Sequence, residues 1–310
     1  MLRGNPVQAA SKLQTAVDHL RQINYAGSHI HCIKGLAYLK IFGGDYASAE
    51  VLLDETLALA TSDGDLWQRS VARVVRGVLE VLRSDAPTAR EYLTTALIAA
   101  RAAGDPRHIA LTLNYQGVTA LSLKLFDEAE RSCRECLSIA AENKDRFQMS
   151  LALLSLGRVA LSRGDAATSA WMFAEGHGLA REIGDRWLEA QARGYMGTLA
   201  VHQGNHTQAR THFHAAVTIA AAAPLPFALD ALAMLAEFEL DTQPQVALTA
   251  LAYVRRHPRT RSVTRASAEA RWQEVAGSTE QKQLADAEEA AALYSHGQHA
   301  TLLALFESSV

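Results

Sequence analysis

The stretch "PRHIALTLNYQGVTALSLKLFDEAERSCRECLSIAAEN" (106–143) holds two amphipathic segments separated by one short break. In the first, Ala110, Leu113, Gly117 and Ala120 share a face at i, i+3, i+7 and i+10, and Leu111, Asn114, Val118 and Leu121 form a neighbouring stripe. The second repeats the pattern with Ala129, Cys133, Cys136, Leu137 and Ala140. Each segment is about 17 residues, or ~25 Å of helix. The short break makes the two antiparallel neighbours. No convincing strand alternation occurs anywhere in the chain.

The pair recurs. Sliding the sequence on itself by 40 residues aligns Ala9, Ala49, Ala89, Ala129, Ser169 and Ala209. Four residues on, the column reads Leu13, Leu53, Leu93, Cys133, Phe173 and Phe213. Another is Ala60, Ala100, Ala140, Ala180 and Ala220. A fourth, Gly77, Gly117, Gly157 and Gly197, is followed three residues later by Glu80, Ala120, Ala160 and Ala200. The register holds from residue 4 to about 240 without an insertion, the signature of a repeat architecture. Small residues at these columns let two helices cross closely, while the larger column plugs the space between them. Gly-Asp pairs at 44–45, 64–65, 104–105, 164–165 and 184–185 mark the helix ends: glycine suits the left-handed residue past a helix, and aspartate caps the next one.

These columns resemble the tetratricopeptide repeat, whose signature here reads Gly117, Ala120, Ala129, Cys133 and again Gly197, Ala200, Ala209, Phe213. The resemblance spans 4–242 and implies an all-α, right-handed α-solenoid of antiparallel helix pairs, a superhelix of about six repeats beginning mid-repeat over 1–242. The period is forty rather than thirty-four, and the early Trp, later Tyr and closing Pro of the signature are mostly absent. Forty-residue versions are similar to the C-terminal sensor arms of bacterial signal-transduction ATPases and LuxR-type or maltotriose-sensing regulators, and to peptide-sensing quorum regulators. Residues 243–310 leave the register but still read as helices, at 243–256, 261–276, 279–294 and 297–307, forming a C-terminal helical cap. At the other end, Leu13, Val17 and Leu20 form an apolar stripe with no preceding helix to cover it. That predicts a longer protein, with an upstream effector domain or another subunit docked there.

Composition sets bounds on function. The formal charge is −3 with signs interspersed, and 49% of residues are hydrophobic, enough for a substantial core without a nucleic-acid footprint. The basic run 253–265 reads as a solvated face or turn. No apolar run approaches the ~20 residues of a membrane span. Three cysteines, an odd number, point to a reducing cytoplasm. No nucleotide-binding, nucleophile-elbow or zinc-protease motif occurs. Cys133 and Cys136 read as small core residues rather than a redox pair, since no second pair completes a zinc site. His29/His31 and His212/His214 point apart at i, i+2. His202 and His206 straddle a turn, and would found a metal-dependent accessory enzyme only if a carboxylate converged on them. Trp67, Phe147, Trp187 and Phe227 share a column that reads as packing before it reads as an aromatic box.

The working surface expected from the resemblance is the concave side, lined by the first helix of each pair. Its stripe carries His31, Lys34 and Tyr38; Val71, Val74 and Val78; Leu111, Asn114 and Val118; Leu151, Leu154 and Arg158; Gln191, Gly194 and Thr198. Apolar with isolated polar groups, it suits a peptide, a partner helix or a small ligand. It is also compatible with interior packing of a tightly wound superhelix. It does not match the Lys/Asn clamp with which some family members hold a C-terminal carboxylate. The expected function is a non-catalytic interaction or ligand-sensing arm of a bacterial regulator, without cofactor, metal, nucleic acid or membrane. A free-standing scaffold or adaptor is the alternative, followed by a peptide-sensing regulator or a metal-dependent accessory enzyme.

Overall fold

The computed structural model describes residues 6–22, 26–62, 66–83, 85–221, 225–277 and 279–294, with 301, 302, 304 and 306. Gly64-Asp65, the side chain of His29 and most of the expected helix 297–307 lie outside this set. Contacts divide the chain into two compact units, Met1–Asp185 and Arg186–Val310.

The first unit contains α1 (Pro6–Gln22), α2 (Ala26–Phe42), α3 (Tyr46–Ser62), α4 (Leu66–Arg83), α5 (Ala86–Ala103), α6 (Pro106–Ser122), α7 (Phe126–Glu142), α8 (Arg146–Ser162) and α9 (Ala166–Ile183). Every helix packs on its sequence neighbour, and α2, α4, α6 and α8 also touch one another in series. These even-numbered helices therefore form the inner wall of the unit. The second unit contains α10 (Arg186–His202), α11 (His206–Ala220), α12 (Leu225–Glu239), α13 (Pro244–Arg256), α14 (Ser262–Ala276) and α15 (Gln281–Ala292). Here α10, α12 and α14 touch in series, while α15 packs back on α13. Ala268, Trp272, Ala287, Ala291, Leu302 and Phe306 from the tail join one apolar cluster with α11–α13.

The glycine column explains the pairing. A Cβ added at Gly157 would lie 2.5 Å from Phe173 Cε1, one at Gly197 2.6 Å from Phe213 Cε1, and one at Gly77 2.7 Å from Leu93 Cγ. The plug residue of the second helix rests directly on the bare backbone of the first. Glu80, where other repeats hold alanine, is 4% exposed and bonds Arg76 Nε at 2.8 Å. Arg76 also pairs with Glu50 at 2.5 Å and Asp54 at 2.9 Å, and Arg83 with Glu50 at 2.7 Å. The buried charge thus sits in a network rather than alone.

The turns behave as the sequence marks them. Gly44, Gly104, Gly164, Gly184 and Gly204 take positive φ, as do Lys124 and Lys144 at equivalent places. At Gly164 the next amide, Asp165 N–H, donates back to Ala160 O at 2.9 Å, and the same closing bond recurs from Asp145 to Ala140 and Asn205 to Ala200. The carboxylates of Asp85, Asp105, Asp145 and Asp165 then accept from amides two or three residues on, capping the next helix.

One expectation is corrected. The apolar stripe of α1 is not bare: Val17 is fully buried, Leu13 Cδ1 comes within 3.3 Å of the Cβ position of Gly35, and Leu20 is half-buried. The following helix α2 covers it, because a second helix packs on the helix that follows it as well as on its pair.

Two predictions follow from this packing. Gly157→Ala forces its methyl into the Phe173 ring and should cost about 1–3 kcal/mol, read by urea denaturation; pairing it with Phe173→Leu should recover part of the loss. The hydrogen bond from Arg83, opposed by burial and aided by both arginine charges, holds the Glu50 carboxyl down to about 2. That stabilisation is present above the ordinary carboxylate range and disappears as pH falls toward about 2. The difference in urea midpoint between wild type and Glu50→Gln should shrink to nothing across this window.

Candidate functional site

Side chains that cross from one first helix to the next build the inner wall of the first unit. His31 Nδ1 lies 3.1 Å from Gln68 Nε2. Lys34 Nζ sits 5.1 Å from the centroid of Trp67, and burial lowers its pKa. Trp67 Nε1 donates toward Asp105 Oδ2 at 3.4 Å, and its ring is 6.4 Å from that of His108. His31, Lys34, Trp67 and Gln68 thus form one polar-aromatic group at the start of the wall. Further along, Tyr38, Leu111 and Tyr115 pack over Val74, Val75 and Val78. Burial pushes the Tyr38 hydroxyl upward, with the facing Tyr115 adding to it. Neutral phenols over an apolar floor favour contact with apolar or hydrogen-bonding groups.

The other predicted positions are sealed to different degrees. Asn114 is 1% exposed and donates Nδ2 to Gln148 Oε1 at 3.1 Å, leaving its Oδ1 without a hydrogen-bond partner among the described residues. Leu154 is also 1% exposed and fills the space above Gly176. Arg158 is half-buried, close enough to Cys133 to act on its thiol electrostatically. His31, Lys34 and Tyr38 therefore keep open faces, whereas Asn114 and Leu154 pack inward.

Ser70, His108 and Asp105 are the residue types of a nucleophilic triad, and Ser70 Oγ lies 3.1 Å from His108 Nε2. The geometry is that of packing. Ser70 is fully buried and donates to Ala96 O at 3.0 Å, while Asp105 Oδ1 accepts from the backbone amides of Arg107 and His108. Burial depresses the His108 pKa; Asp105 opposes and Lys34 reinforces the shift. Ser150 repeats the serine bond, to Gly176 O at 2.8 Å.

The second unit carries a small cavity of about 80 Å³ on its own inner wall, between α10 and α12 and beside the start of α14. Trp187 and Phe227 line it with ring centroids 4.9 Å apart and planes tilted by 42°. Gln191 and Tyr195 add polar groups, and Gly194, Met234 and three alanines also line it. Asp230 and Arg261, also at the cavity, bond each other at 2.6 Å. Of the predicted residues, Gln191 lines this cavity; Thr198 donates Oγ1 to Gly194 O at 3.2 Å on the same helix. Sequence reasoning missed Tyr195, Asp230, Met234 and Arg261. It saw Trp187 and Phe227 as a column but assigned them to packing.

Cys133 and Cys136 are fully buried thiols. Burial pushes Cys133 up to about 12, against a hydrogen bond from Ser155, and raises Cys136 as well. Among the described residues no group of three His, Cys, Asp or Glu side chains could hold a metal ion, and His202 and His206 are both exposed. The basic run is answered internally: Arg255 bonds Glu269 and Glu288 and lies 4.5 Å from the Trp272 ring centroid. No described helix is long and apolar enough to cross a membrane.

No family model matches this chain, and no curated protein matches it. Solved structures do. The chain is similar to NprR in complex with its cognate peptide NprX, at 13% identity over 96% of this chain and 94% of that one, with a TM-score of 0.67. It is similar to Rap protein complexed with Competence and Sporulation Factor, at 13% identity over 98% and 94%, TM-score 0.58. It also matches the Signal Transduction ATPase with Numerous Domains protein with a tetratricopeptide repeat sensor, PH0952, from Pyrococcus horikoshii, at 15% identity over 91% of this chain and 43% of that one, TM-score 0.52. At these identities the likeness is one of fold: the chain has a tetratricopeptide-type helical-repeat architecture, as its columns imply.

The burial of the three thiols gives a direct check. A thiol-reactive dye should label the half-buried Cys32 in the native protein, with Cys133 and Cys136 reacting only in denaturant. Fast native labelling of all three would overturn the assignment of Cys133 and Cys136 to the core.

Proposed function

We propose that the chain is a non-catalytic ligand-sensing arm of a larger transcriptional or signalling regulator, and that its ligand is a peptide. The observation that carries this reading is the chemistry of the two inner walls. Each offers aromatic and aliphatic surface with isolated polar groups: Lys34, Tyr38, Leu111 and Tyr115 in one unit, Trp187, Gln191 and Tyr195 in the other. A peptide is recognised by that combination, its side chains by the apolar surface and its backbone by amides and hydroxyls.

The likeness to NprR and Rap, each solved with a peptide or signalling factor and each matched over nearly its whole length, supports the ligand class. The tetratricopeptide sensor of the archaeal signal-transduction ATPase supports the regulatory context, since this chain covers less than half of that protein. The division into a repeat array over 1–242 and a helical cap over 243–310 belongs to the same proposal. So do a reducing cytoplasmic setting, consistent with three free cysteines, and a ligand surface comprising His31, Lys34, Tyr38, Asn114, Leu154, Arg158, Gln191 and Thr198. For the sealed Asn114 and Leu154, ligand contact requires the first helices to separate. Signalling then follows from population shift: a peptide that prefers one spacing of these helices biases an attached effector.

A thermal-shift screen against short peptides, sugars and metabolites tests the reading. A peptide at one hundred times its Kd stabilises by about 2.7 kcal/mol. It should also change the fluorescence of Trp67 or Trp187. Stabilisation by a sugar or metabolite with silence from every peptide would overturn the peptide assignment, and turnover of any bound compound would overturn the non-catalytic one.

A further inference from the structure

The cavity of the second unit has a specific origin in the repeat. Position 194 belongs to a column that reads Lys34, Val74, Asn114, Leu154, Gly194 and Met234. Every other member carries a side chain. In this slot Val74, Asn114 and Leu154 are buried and fill the wall. Gly194 adds no side chain, and the thioether of Met234 closes on its bare backbone: a Cβ added there would meet Met234 Sδ at 3.1 Å and Cε at 3.2 Å. These two members of the column line the cavity together. Gly194 is helical and needs no left-handed backbone. Its lack of a side chain, rather than any turn, is what the site uses.

The cavity's size and charge decide what enters. About 80 Å³ is far below the ~300–1,000 Å³ of pockets that take nucleotides, cofactors or drug-sized molecules. It is the scale of a single side chain. The walls are the tilted faces of Trp187 and Phe227 with the thioether of Met234. The charges nearby are already compensated. Asp230 Oδ2 bonds Arg261 at 2.6 Å, Asp230 Oδ1 accepts from Thr264 Oγ1, and the Arg261 guanidinium lies 5.6 Å from the Phe227 centroid. A cation or an anion entering here would have to displace one member of a partly buried pair and leave the other uncompensated. A neutral group disturbs nothing.

We propose that the Gly194 cavity is a specificity pocket for one uncharged aliphatic side chain, of Leu, Ile or Val size, on the ligand peptide. The proposal rests on the peptide reading above. Gln191 and Tyr195 stand at the rim to bond the backbone on either side of the inserted residue. The Asp230–Arg261 pair acts by exclusion, rejecting peptides that present a charge at that position.

A positional-scanning library of short, end-blocked peptides, read by fluorescence anisotropy on the whole chain, tests it. Wild type should select Leu, Ile or Val at one position and reject Asp, Glu, Lys and Arg there. Gly194→Leu, which places in the slot the residue already present at Leu154, should weaken binding by about tenfold or more and erase that preference. Met234→Ala enlarges the same space and should shift the preference toward Phe. It carries the test if Gly194→Leu fails to fold. Unchanged preferences in both variants, or in Met234→Ala alone where only that variant folds, would sink the pocket while leaving peptide sensing intact. Absence of any peptide binding to wild type would sink the peptide reading, and the pocket with it.

Discussion

The structure depends on one steric constraint, the contact of a large side chain with bare backbone where the two helices of a pair cross. Phe173 on Gly157, Phe213 on Gly197 and Leu93 on Gly77 set how closely each pair approaches. The contact recurs at the same place in the pairs built on Gly77, Gly117, Gly157 and Gly197, and within each unit successive first helices touch along a wall. Cys133 over Gly117 shows the tolerance of the device. A Cβ at Gly117 would lie closer still to its plug than at the aromatic pairs, 2.2 Å from Cys133 Sγ. The smaller plug has drawn the helices together, so glycine is needed there for the same reason.

Short turns make the wall, not the loops, the place where function can reside. Most described junctions of the repeat array spend their few residues on a left-handed position and a capping carboxylate or amide, which satisfies exposed helix ends. Lys124 and Lys144 adopt this conformation with a side chain, at φ 58 and 55, showing that the closing hydrogen bonds dictate the backbone even where the residue resists it. Nothing at such a junction is left over to form a binding loop. Variation among repeats therefore accumulates on helix faces, where a change of side chain leaves the crossings untouched.

The fold was legible because the evidence for it is repeated. A column such as Ala60, Ala100, Ala140, Ala180 and Ala220 averages over accidents at any single position, and all five are buried. The site was legible only in part, for physical reasons that differ by residue. His31, Lys34 and Tyr38 keep open faces because this stripe of α2 faces the wall. Asn114 and Leu154 belong to the same stripe but are sealed by neighbouring helices, and helical periodicity cannot distinguish a lining side chain from one turned into the next interface. Arg261 lies where the forty-residue register has ended, so no column linked it to Asp230. The covering of α1 is not legible in the columns, because they describe the crossing within a pair, whereas α1 is covered by the following first helix α2.

The slot containing Gly194 shows how such a fold acquires chemistry without disturbing its own support. Position 194 and the close-crossing position 197 are three residues apart on α10, yet they answer to different partners: 197 to Phe213 of the paired helix, 194 to Met234 of the next first helix. Filling 197 would push a helix pair apart, whereas filling 194 would press only on a flexible thioether. The slot varies along the chain, from ammonium at Lys34 through amide at Asn114 to no side chain at Gly194. In that slot Val74, Asn114 and Leu154 are buried, Lys34 is half-buried, and Gly194 lines a cavity. Side chains between first helices can thus differ from repeat to repeat, while those within each pair hold the crossing. That separation allows one repeat to be tuned without weakening the stack.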